Sequence, residues 1–245
     1  MCGGLCYTDG MVRVREPEPI TARPERWKYT PPKLINGDRL SLAEFNYLYK
    51  NSPHIRRAEL IEGVVYVASP VYLPHGYAQA DIIGVLYTYS VHTPHTVCVG
   101  EQSVELDGDN AVQPDSALWI EDAVDESGGI VVGSPTLVVE VASSTRSYDL
   151  GAKKRVYRRN KVQEYLVLSA FEKKVFWFRW VDGVYVEIEP DEDGVYKSEV
   201  FPGLWLDSMA FWERDGMALM EVLQAGIKSA EHAQFVETLR EGKIE

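Results

Sequence analysis

Two acids and a lysine have surroundings that would give them chemistry. Glu140 sits inside TLVVEVA (136–142), a continuous apolar run expected of a strand covered on both faces. An ionised carboxylate there is costly unless a cation or hydrogen-bond donors compensate it. Strand alternation puts Glu140 on the same face as Val138 and Ala142. Asp115 follows Pro114 in the preceding run, VQPDSALW. Carboxylates on neighbouring central strands suit a hard divalent cation such as Mg²⁺, with phosphate oxygens and water filling its other positions. The alternative is that backbone amides or an arginine satisfy both acids, since buried acids are rare unless paired.

The lysine comes from the next element. On a helix over 149–161, Leu150, Ala152, Val156 and Tyr157 form one face, and Lys154, Arg155, Arg158, Arg159 and Lys161 form the other. Lys153 falls in the middle of the apolar face, where a lysine either snorkels outwards or meets an acid. Beside Glu140, it could orient a metal-bound water and stabilise an anionic transition state. The basic face has no acidic i±4 partner of its own, which leaves phosphate-backbone contact or plain solvation to explain it.

The elements that must hold these residues follow from periodicity and turn chemistry. Ser41 with Glu44 forms a capping box, and Leu40 with Phe45 a hydrophobic staple, which predicts a helix over 42–50. RAELIEGVVYVASP reads as a β segment with a turn at Gly63, closed by Pro70 and Pro74. Ala78, Ile82, Val85, Leu86 and Tyr89 recur at helical spacing over 75–91. VCVGEQSVELDG and NAVQPDSALWI read as two β runs joined by DGDN, and an acidic loop over 121–135 leads to the Glu140 strand. After the 149–161 helix come a strand, EYLVLSA, and a hairpin turning at Asp182-Gly183. Beyond FPGLWL the chain reads as helix. The class is mixed α/β (α+β), a central sheet flanked by helices with added β-hairpins. The expected division is an arm without periodic pattern over 1–38, a main domain over 39–212 and a helical extension over 213–245, whose Met217, Met220, Leu223 and Ile227 cover the sheet or a second subunit.

Composition bounds the partners. The 245 residues carry a net charge of −12, which by itself argues against a polyanionic ligand. Distribution matters more: residues 146–161 hold seven basic side chains against Asp149, a local +6 that leaves −18 for the rest. Cys2 and Cys6 lack the further ligands of a zinc site, and Cys98 reads as a small strand residue. With no apolar run of about 18 residues and no signal-peptide core, the expectation is a cytoplasmic protein with no membrane partner.

The ordered series AELIEG, SPVYLPH, VQPDSALW, TLVVEVASSTRSYD, Lys153, Tyr157 and VQEYLVL resembles the Uma family of putative restriction endonucleases, within the PD-(D/E)XK nuclease superfamily, over about residues 40–212. The resemblance implies a restriction-endonuclease-like core and cleavage of nucleic acid, DNA being the expected polymer, with Mg²⁺ or a Mn²⁺ substitute. It implies Asp115 as the motif aspartate and Glu140 as the acid of the D/E-x-K motif; a metal held by these two acids would take the backbone carbonyl of Val141 as a further ligand. Glu59 and His75 match further family positions. Read alone, Glu59 would pair with Arg56 or Arg57, and His75 would start its helix. The superfamily's lysine, two residues after the acid, is Ala142 here, and Lys153 stands where members with a migrated lysine carry it, with Lys154 adjacent. Ser144 replaces a proline, Lys161 a glycine and Leu166 a tryptophan. The superfamily's habit of dimerising makes a homodimer the expected assembly. Two further classes fit the same residues: a binding module of this fold without turnover, and a hydrolase using Asp115 and Glu140 as an acid/base pair on another substrate.

Overall fold

The computed structural model describes residues 13–15, 27, 32–68, 70–120, 130–143 and 146–242. Cys2, Cys6, Ser144 and most of the 121–135 loop and of the 1–38 arm lie outside these.

Ser41 caps α1 (Leu42–Lys50) by accepting from the Glu44 amide, and the Glu44 side chain accepts from the Ser41 amide in return. The helix buries Phe45 and Leu48 against a first sheet, ordered β1 (Arg13–Arg15), β8 (Ile130–Val132), β5 (Val104–Asp107), β6 (Asn110–Val112), β2 (Ala58–Ile61) and β3 (Val64–Val67). Gly63, at φ +73°, makes the β2–β3 turn, where a side chain would be strained.

The second sheet runs β12 (Val184–Ile188), β11 (Lys174–Val181), β10 (Glu164–Ser169), β9 (Leu137–Ala142), β7 (Ser116–Ile120), β4 (Thr96–Gly100). Its centre is the parallel pair β9–β10, with Glu140 opposite Val167, and β7 pairs antiparallel with β9. Every residue of β9 is buried, and its alternation divides two cores. Leu137, Val139 and Val141 face a core built with α2 (Leu73–His92) and the C-terminal helices. Val138 and Ala142 face a second core shared with Val156 and Tyr157 and with Ile61, Val104 and Val112 of the first sheet. Glu140 looks into the second core, between the two sheets.

The structure corrects several element expectations. The two β runs before the Glu140 strand are four short strands that split between the sheets, and Pro114, which offers no amide to a ladder, marks the break between β6 and β7. The helix expected at 149 begins at 146: α3 (Arg146–Tyr148) passes into a π turn (Asp149–Lys153) and then α4 (Lys154–Arg159). Beyond FPGLWL the chain is helical, as expected, and a hairpin that the expectation did not include precedes the helices. The hairpin is β13 (Val195–Lys197) with β14 (Trp205–Asp207), and the helices are α5 (Ser208–Glu213), α6 (Gly216–Ile227) and α7 (Ala230–Arg240). Leu219 and Leu223 of α6 join the first core, so this segment covers the sheet. Among the described residues no helix is long and apolar enough to cross a membrane.

Candidate active site

Five segments deliver titratable side chains to one buried place. Asp115 and Glu140 are each 2% exposed, Lys153 3%, and Glu59 and His75 8%. Lys153 Nζ lies 2.9 Å from Glu140 Oε1 and 2.9 Å from Glu59 Oε2, with Asp149 Oδ1 at 4.0 Å one turn before it. The Tyr157 hydroxyl donates to Glu140 Oε1 at 2.7 Å. Glu59 also accepts from the Gln113 amide at 2.7 Å, which ties β2 to the segment that presents Asp115. Asp115 Oδ2 accepts from the Val141 amide at 2.7 Å, and its Oδ1 accepts from Arg57 at 2.8 Å. His75, in the first turn of α2, brings Nε2 to 3.6 Å from the same Oδ1.

The five residues expected to do chemistry are therefore together, and the choice between adjacent lysines has a geometric basis. Lys154 points away from the acids, its ammonium 3.2 Å from the centroid of the Phe178 ring. Glu59 pairs with Lys153, and neither Arg56 nor Arg57 is its partner. Arg57 belongs to Asp115. Val141 contributes its amide to Asp115, an engagement the sequence reading did not include. The basic face of α4 also differs from expectation: Arg155 meets Glu62 at 3.1 Å, and Arg159 meets Glu62 at 3.6 Å and Asp107 at 3.7 Å. Those acids come from the β2–β3 turn and from β5, out of reach of an i±4 rule. Arg158 and Lys161 line a shallow groove of about 380 Å³ with Trp180, Arg155, Arg159, Glu62 and Gly183.

Arg57, Asp149 and Tyr148 are the site residues sequence reasoning missed. Alternation carried a signal for the first, since residues 57, 59 and 61 fall on one side of an extended chain. Asp149 lies four before Lys153, a spacing that brings acid and lysine together on a helix.

The charges are unbalanced. Arg57 and Lys153 face four carboxylates, those of Asp115, Glu140, Glu59 and Asp149. Burial opposes the charge of Asp115, but His75, Arg57 and the Val141 amide hold it well below the usual carboxylate range. Burial raises Glu140 to about 8; Lys153 works against this, while Asp115, Glu59 and Asp149 reinforce it. Burial likewise opposes the Lys153 ammonium, and Glu140, Glu59 and Asp149 outweigh it and push Lys153 up. The two directions have one origin, a surplus of two negative charges when every acid is ionised. Two polar atoms in this place, His75 Nε2 and the Tyr148 hydroxyl, are buried without a hydrogen-bond partner among the described residues.

This donor set fits a hard divalent cation in chemistry and in charge: carboxylate oxygens, a surplus of two, and orphaned polar atoms beside them. Among the described residues no three His, Cys, Asp or Glu side chains form a metal-holding group. A cation held here would have Asp115 and Glu140 as its acids and take its remaining oxygens from water or substrate.

Residues 42–209 match the model of the Uma2 family, described as "Putative restriction endonuclease". The chain belongs to the Uma2 family. The match spans the strands and helices that carry Glu59, His75, Asp115, Glu140 and Lys153, so this Uma2 chain holds its charged cluster inside the family's own region. A solved structure described as a putative nuclease belonging to DUF820 from Anabaena variabilis ATCC 29413 is similar in fold, with a TM-score of 0.58 at 19% identity, covering 71% of this chain and 98% of that one. No curated protein matches the chain.

Proposed function

We propose that this Uma2 protein is a Mg²⁺-dependent endonuclease that hydrolyses phosphodiester bonds of DNA. The observation that carries the reading is Lys153: a buried lysine reaching Glu140 at 2.9 Å from the following helix, with Ala142 in the superfamily's usual lysine position.

Asp115 and Glu140 would hold the cation, with the Val141 carbonyl as a further oxygen. A bound divalent cation would supply Lewis acidity to the phosphate and lower the pKa of a bound water. Lys153 keeps its proton because three acids face it, so it acts as a fixed donor and positive charge that orients the attacking water and stabilises the anionic transition state. Glu59 holds Lys153 as a second carboxylate at 2.9 Å. Tyr157 fixes the Glu140 carboxylate through Oε1. His75 Nε2 faces Asp115 Oδ1 at 3.6 Å, beyond hydrogen-bond distance, and would turn to a substrate oxygen. The groove beside Trp180 supports a nucleic-acid substrate, since Arg158 and Lys161 offer charge and an indole offers a stacking surface.

Purified protein with Mg²⁺ or Mn²⁺ is expected to nick supercoiled plasmid, and Asp115→Ala and Glu140→Ala should each reduce nicking by about 10³-fold or more. Activity surviving in both variants would exclude the assignment. Binding of a DNA duplex by Asp115→Ala is expected to weaken when Arg158 and Lys161 are both changed to Gln, with a shallower salt dependence. Assembly as a homodimer is part of the same reading, and light scattering should return twice the mass of the chain.

A second reading, a nucleic-acid- or partner-binding module without turnover, is favoured by the arginine that occupies Asp115. Calorimetry separates the two, because the nuclease must take up Mg²⁺ while folded.

A further inference from the structure

Arg57 is the cation that the proposed chemistry leaves without a task. It stands just before β2. Nη1 donates to Asp115 Oδ1 at 2.8 Å, and Nη2 donates to the carbonyl of Gln113. Its side chain is 18% exposed where that of Asp115 is 3%, so Arg57 is the more accessible member of the pair. The Val141 amide takes Oδ2 at 2.7 Å. Both oxygens of Asp115 are thus engaged, one by a buried backbone donor and one by a partly exposed side chain. Lys153, the other cation, is committed to Glu140 and Glu59.

A divalent cation can reach Asp115 most readily at the oxygen Arg57 holds, and two positive groups on one carboxylate oxygen repel each other. We infer that Arg57 is a resident counter-cation that yields Asp115 Oδ1 when a divalent cation binds and then turns its guanidinium to a phosphate oxygen of the substrate. This rests on the metal-dependent reading above. The partly exposed position gives the side chain a way out once the arriving cation takes over the charge of Asp115, and its planar fork of donors matches two phosphate oxygens as well as it matches the present pair of acceptors. Metal uptake and the Arg57–Asp115 pair are then antagonistic, each weakening the other to the same degree.

The test is calorimetric titration of the full-length, chelator-stripped protein with Mn²⁺ and, separately, Mg²⁺. Arg57→Gln keeps a donor for the Gln113 carbonyl and removes the charge, while Arg57→Lys keeps the charge. The expected result is roughly tenfold or more tighter Mn²⁺ binding in Arg57→Gln, with Arg57→Lys within a few-fold of the native protein. At saturating metal, Arg57→Gln should nick plasmid more slowly than native protein. A measurement on the native chain needs no variant: phenylglyoxal labelling of Arg57, followed by peptide mapping, should be several-fold faster with Mn²⁺ than with chelator.

Equal or weaker Mn²⁺ binding in Arg57→Gln, or labelling that Mn²⁺ leaves unchanged or slows, overturns the exchange, and the nuclease reading stands if native protein still nicks. Native protein that saturates with Mn²⁺ and cuts nothing overturns the nuclease reading, while tighter binding in Arg57→Gln and faster labelling still uphold the exchange. No Mn²⁺ uptake by any of the three proteins overturns both.

Discussion

Glu140 is surrounded by Lys153 and Tyr157 as donors, by Asp115, Glu59 and Asp149 as rivals, and by Arg57 at longer range. Its pKa is pushed from 4.5 up to about 8, so between those values the folded chain holds a proton that the unfolded chain releases. Stability from this group is fully present below pH 4.5 and is lost as pH rises through about 8. Asp115 runs the other way, its contribution lost only as pH falls below the ordinary carboxylate range. Lys153, raised above an already high value, stays charged throughout. The expected outcome, in chelator, is a melting temperature that falls from pH 6 to pH 8. Mg²⁺ should stabilise more at pH 8, where Glu140 no longer carries a competing proton. Thermal melts at fixed ionic strength check both. These same contrasts made the acids legible beforehand: a carboxylate in an apolar strand and a lysine on an apolar helix face are each costly alone. Arg57 was legible only in part: alternation puts it on the side of Glu59, but only the fold brings Gln113 and Asp115 beneath it.

At the scale of elements, the helix that supplies Lys153 shows what periodicity can and cannot say. A wheel at 100° per residue found the right face although the first part of the segment is a π turn, because Lys153 and Tyr157 both lie at its end or beyond it. The wider turn itself has no signature in residue type; burial of Asp149 and Lys153 inside it is visible only in three dimensions. Past the end of α4, Lys161 adopts φ +57°, the left-handed region, where the resembled family carries glycine. That glycine had a backbone reason. Lys161→Gly is expected to stabilise the protein by about 1 kcal/mol, through relief of a side chain in the left-handed region, while removing one positive charge from the Trp180 groove. Urea unfolding measures the first effect and duplex binding the second. Strand ends were harder to read: Pro114 punctuates a run that looked continuous, and the two halves separate into different sheets.

For the molecule as a whole, mixed class and flanking helices were readable from the order of the elements, whereas the division into two sheets was not. That division depends on pairings far apart in sequence, such as β5 with β8 and β2 with β6. The C-terminal helices illustrate the point. Their apolar spacing was plain, but whether it faced this chain or another required the fold. Leu223 is fully buried among residues of α2 and the second sheet. Leu223→Ala should therefore cost about 2–5 kcal/mol in chemical denaturation, in dilute protein as in concentrated. A loss that grew on dilution would mean that the residue serves a subunit contact instead.

The buried cluster lies where the sheets meet, with Arg57 and Glu59 on one side and Asp115 and Glu140 on the other, and Lys153 spans from Glu59 to Glu140. The bonds that would perform catalysis are thus also the rivets of a joint. A ligand that engages acids from both sides will stiffen the whole body, and hydrogen exchange should slow on β2 and β9 together. Selection for a faster site cannot trade away these contacts without loosening the frame.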